Sequence, residues 1–113
     1  MAYRDRHRPS WQSDVCPSWC ARQHTEADHP DDRRHQDEGR VLAGVVLRQD
    51  TPADQRIAEP SELIISISCA VNDEDVWIYI GEGERRERHL HLSHETAQRL
   101  SGALRDALSS LAA

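Results

Sequence analysis

The second half of the chain has a period-two apolar rhythm that changes near its end to a period close to four. "ELIISISCAV" (62–71) alternates strictly: Leu63, Ile65, Ile67, Cys69 and Val71 share one face, and Ile64, Ser66, Ser68 and Ala70 the smaller, more polar one. Such alternation predicts a half-buried strand. "NDED" (72–75) reads as a tight polar turn and "VWIYI" (76–80) as a second strand, so a β-hairpin is expected over 62–80. "VLAGVVL" (41–47) is a short Val-rich run that fits another strand. "DTPADQRIAEPS" (50–61), with two prolines, reads as a loop, and "GEGERRER" (81–88) as a turn region. "HLHLS" (89–93) reads as a short strand, with Leu90 and Leu92 opposite His89 and His91.

From Ser93 onward Ala97, Leu100, Leu104, Leu108 and Leu111 recur at three- and four-residue spacing, an amphipathic helix with one apolar stripe. Ser93 is a natural N-cap, with Glu95 in the first turn to meet the helix dipole. The expected fold is α+β: a small antiparallel β-sheet packed by a C-terminal helix, which covers one face.

Residues 1–40 lack this patterning. Val15 is the sole Val, Leu or Ile before Val41, so this stretch has too little apolar surface to fold by burial. It does hold chemistry. "CPSWC" at 16–20 is followed by His24, His29 and His35. Cys thiolates and His imidazoles are the tetrahedral ligands of zinc, and here five candidates offer themselves for four places. If residues 17–24 wind into a short helix from Pro17, Cys20 and His24 lie four apart on one face, and Cys16 swings in from the cap. The fourth ligand must return from the loop. His35 is favoured, with His29 as the alternative because it sits before Pro30 in a solvated acidic stretch. Trp11 and Trp19 are placed to roof the site. A metal-free charged tail is the competing reading. A Cys16–Cys20 disulfide and a catalytic Cys20–His24 pair are weaker ones, the latter because no oxyanion hole or orienting partner is visible. Cys69 is expected in the core. His89, His91 and His94 are expected on a solvated face, a second metal site being the alternative.

The expected organisation is therefore a disordered stretch at 1–10, a Zn2+-binding segment at 11–40 and the sheet with its helix at 41–113, the last two forming one compact domain. The net charge of −6 argues against a nucleic-acid partner, and "RRER" (85–88) is too short to offset it. No apolar run approaches a membrane span, and "MAYRDRHRPSW" does not resemble a secretory signal. A cytoplasmic protein with reduced cysteines is expected. All 14 basic residues are Arg.

"CPSWC" with His24, the stretch ending "RRHQ" (33–36), the β-rich middle and "LSHETAQRLSGALRDAL" at the end resemble a group of small actinobacterial proteins of unknown function (DUF6907-like). The resemblance runs from Cys16 onward, and CPxWC-x3-H is its specific part. It implies Cys16, Cys20, His24 and His35 as the shared positions, and no activity. The leading functional expectation is a non-enzymatic zinc-binding module for protein interaction or regulation, working as a homodimer because both faces of 76–80 are apolar. The alternatives are a zinc-dependent hydrolase with an open metal position, and a nucleic-acid-binding zinc protein.

Overall fold

The structure, a computed structural model, describes residues 8–48, 52, 56–83, 85 and 87–112. Most of the expected disordered stretch at 1–10, and part of the 50–61 and 81–88 segments, lie outside that set. A 3-10 turn (Pro30–Asp32) leads into β1 (Arg34–Gln36), followed by β2 (Arg40–Leu47), β3 (Ala58–Ala70), β4 (Val76–Glu82), β5 (His89–Ser93) and α1 (His94–Ala112). The strands make one five-stranded antiparallel sheet in which β1 and β2 both pair with β3, followed by β4 and β5.

The alternation read at 62–71 sets the faces. Leu63, Ile65, Ile67 and Cys69 oppose Glu82, Ile80, Ile78 and Val76. Ile78 and Ile80 in turn oppose Leu92 and Leu90, giving one aliphatic face. Trp77, Tyr79, His89 and His91 lie on the other. As expected, His89 and His91 are exposed; both rings pack against Tyr79.

Three expectations need correction. β3 starts at Ala58, inside the stretch read as a loop, and runs through Pro60 opposite Val45. Pro60 is tolerated because pairing with β4 begins only at Leu63, so its missing N–H withdraws no ladder bond on that side. β1 was not expected, since three polar residues, "RHQ", carry no apolar alternation. β1 and β2 form one interrupted edge: Gln36 opposes Ser68 and Arg40 opposes Ile65, so residues 37–39 span what 66–67 span on β3. This is a one-residue bulge. Gly39 takes it up at φ 75°, and Asp37 Oδ1 accepts from the N–H groups of Gly39 and Ile67, satisfying the ladder at the break.

The third concerns a helix. Residues 17–24 form no helix; "CPSWC" closes a turn in which the Cys20 N–H donates to the Pro17 carbonyl at 3.0 Å. α1 forms as read, with the Ser93 hydroxyl accepting from the Thr96 N–H. It packs against β4 and β5, as the expected α+β arrangement requires, yet none of its residues is buried, so its cover of the sheet is partial. The described core is correspondingly thin: Cys20 and Cys69 are the buried apolar residues.

Candidate metal centre

Three chain segments converge at one end of the aliphatic face. The "CPSWC" turn presents Cys16 and Cys20. An extended stretch then carries His24, held beside the sheet by the Ala21 N–H donating to the Gln36 carbonyl at 2.9 Å. After the Thr25–Asp28 turn and the 3-10 turn, β1 brings in His35 directly opposite Cys69. The bulge gives His35 this face: it shares a side with Arg40 and Leu42 rather than with Val41 and Val45.

Cys16, Cys20, His24 and His35 are positioned to hold a metal ion, one donor atom from each lying within 4.8 Å of all the others. His24 Nε2 is 3.3 Å from His35 Nδ1 and 3.7 Å from Cys20 Sγ. A tetrahedral zinc with ordinary bond lengths sets nitrogens about 3.3 Å apart and sulfur about 3.6 Å from nitrogen. The donor set therefore fits that ion in kind and in spacing. His29 lies outside the group: its side chain is exposed and its Nδ1 accepts from the Asp31 N–H, capping the 3-10 turn. Cys69 is buried on the strand face; burial, with Asp73, Asp14 and Asp75 nearby, pushes its thiol up and keeps it protonated.

Residues that the sequence reading passed over support the four donors. His35, 1% exposed, has Nε2 2.8 Å from Asp14 Oδ2. The carboxylate accepts from that ring N–H and leaves Nδ1 as the lone-pair nitrogen facing the cluster. Burial raises the Asp14 carboxyl, but bonds from His35 and from the Asn72 N–H outweigh it and hold Asp14 below the usual carboxylate range. The Gln12 amide, itself buried, donates to Cys16 Sγ at 3.5 Å. Burial, with His35 alongside, pulls the His24 imidazole down and favours the neutral ring that metals bind. Trp11 meets the edge of His24 and Trp19 that of His35, so both tryptophans roof the site as expected.

The segment is clasped to the sheet by Asn72 in the β3–β4 turn. Asn72 Oδ1 accepts from the Ser13 N–H (2.9 Å), the Ser13 hydroxyl (2.6 Å) and the Asp14 N–H (3.0 Å); Nδ2 donates to the Trp11 carbonyl (3.0 Å). Its φ of 66° is one Asn tolerates better than most side chains. Beside Cys20 a cleft of about 510 Å3 opens to solvent, with Trp19, Asp37, Glu38, Arg40 and Ile67 in its walls. Among the described residues no helix is long and apolar enough to cross a membrane.

Comparison with known families matches residues 2–113 to Domain of unknown function (DUF6907), so the chain belongs to that family. Neither a curated protein nor a solved structure matches it.

Proposed function

We propose that this DUF6907 chain is a zinc-stabilised protein-interaction module without catalytic chemistry of its own, acting as a homodimer in the cytoplasm. One observation carries the reading: two sulfurs and two imidazole nitrogens lie within 4.8 Å of one another, enough donors for the protein itself to supply four ligands. Thiolate with imidazole selects zinc over magnesium or calcium, which take oxygen ligands. The four donors come from a turn, an extended stretch and a strand, so a bound ion cross-links a segment that has no aliphatic core. The net charge of −6 speaks against phosphate backbones as the partner.

One feature favours a second reading, a hydrolase with an open metal position: the solvent-open cleft against Cys20. A catalytic zinc keeps three protein ligands and a water. Metal analysis and X-ray absorption on protein purified without added metal separate the two. About one zinc per chain with two sulfur and two nitrogen neighbours is expected. A shell with a water oxygen and three protein atoms would move the chain to the hydrolases, and metal-free protein of the same fold would remove both readings. His35→Ala should lose the metal, and His29→Ala should keep it.

A further inference from the structure

Among the described residues, two apolar surfaces are left largely uncovered. The first is the stripe of α1: Leu100, Leu104 and Leu108 are 43–58% exposed, and Leu111 83%. Most of a protein helix's stability comes from packing its apolar side rather than from intrinsic propensity. The second is the aliphatic sheet face. Ile65, Ile67, Ile78, Ile80 and Leu92 are half-buried and Leu90 is exposed; none of the six is buried. The shape reflects both. The radius of gyration is 18.3 Å and the molecule measures 57 × 30 × 19 Å, against a radius of about 13 Å for a compact domain of this length.

Connectivity argues against the two surfaces closing on each other within one chain. α1 begins at His94, the residue after β5 ends at Ser93. With no linker, the helix starts at the edge strand, and its contacts with β4 and β5 of its own sheet leave Leu100, Leu104, Leu108 and Leu111 43–83% exposed. Short connections invite exchange of an element between identical subunits.

We propose that the occupant of each surface is a second copy of this chain. α1 of one protomer lies leucine side down on the aliphatic sheet face of its partner, and the partner's helix does the same in return. The helix is about 28 Å long, and the receiving face runs across β3, β4 and β5. Burying four leucines and the surface they meet, twice by symmetry, comes to on the order of 1,500 Å2, the size of a stable interface. The contact is isologous and closes as a two-fold dimer, leaving both metal centres complete within their own chains. The inference rests on the homodimer reading above and adds which surfaces meet.

Light scattering on the full metal-loaded chain tests it. The wild type should be a dimer at micromolar concentration. Leu104→Glu with Leu108→Glu on the helix, and separately Leu90→Glu on the sheet, should each yield monomers that keep their metal and their β-sheet circular dichroism. The milder Leu104→Ala, which preserves helix propensity, should raise the dimer dissociation constant at least about tenfold. A monomeric wild type would overturn both this inference and the homodimer reading. A dimer that survives the helix substitutions would overturn the inference alone. Monomers from the helix variant with an intact Leu90→Glu dimer would mean that the helices pair with each other, which overturns the sheet face as receptor.

Discussion

An imidazole that ligates through one nitrogen must have the other held, and at His35 Asp14 does this while accepting from the turn that anchors it. Asp14→Ala should therefore leave metal stoichiometry unchanged but weaken affinity by about 10–100-fold, read by competition with a chromophoric chelator. Unchanged affinity would mean that His35 is oriented by packing alone. Cys69 stands opposite His35 without joining the cluster. Cys69→Ser should keep the metal and lose about 1 kcal/mol in chemical denaturation, because the hydroxyl gives up apolar contacts but inherits the thiol's acceptor, the Asp73 carbonyl at 3.2 Å. Loss of the metal there would show that the donor set has been misassigned. At this scale the candidate donors were legible, His29 among them, because cysteine and histidine announce themselves at any spacing; it took the fold to set His29 apart. Asp14, Gln12 and Asn72 were not. A carboxylate among the chain's 20 acidic residues carries no mark until the fold brings an imidazole 21 positions away to it.

Elements whose instructions lie within a few residues were read correctly. Ser93 caps the helix through Thr96, and the 62–80 hairpin follows from its own alternation. The helix assigned to 17–24 failed because Pro17 closes a four-residue turn instead, and β1 escaped notice because its strand character comes from pairing with β3. The β3–β4 turn clasps residues 11–14 through one side chain. Asn72→Gly keeps the positive φ easy but removes the clasp. It should cost about 1–3 kcal/mol and speed hydrogen exchange at Ser13 and Asp14, with the sheet amides unaffected. At the other end of the sheet Arg48 bridges Glu82 and Glu59. The hydrogen bonds from Arg48 hold the Glu82 carboxyl below its usual range. A depressed acid stabilises the fold fully above the unfolded carboxyl's value of about 4.3 and loses that contribution as pH falls below it. The stability gap between wild type and Glu82→Gln should thus be largest near neutrality and close on acidification, followed by thermal melts from pH 7 to 3. A gap independent of pH would show that Glu82 acts through packing rather than charge.

At the scale of the molecule, strand pairing holds residues 34–93, and the proposed metal would hold the segment before them. Chelation should speed hydrogen exchange throughout 11–38 and leave β3, β4 and β5 protected; equal protection with and without chelator would show that Asn72 and the β1 pairing suffice. The joint between β1 and β2 is the bulge at 37–39, where one extra residue reverses which side of the sheet each later position faces. That joint behaves as a counting device. Removing a single residue between His35 and Arg40 would put the imidazole and the aliphatic side chains of β2 out of step, so that one or the other must face the wrong way. Chains of this family are thus expected to admit no insertion or deletion between His35 and Arg40 unless it comes in pairs.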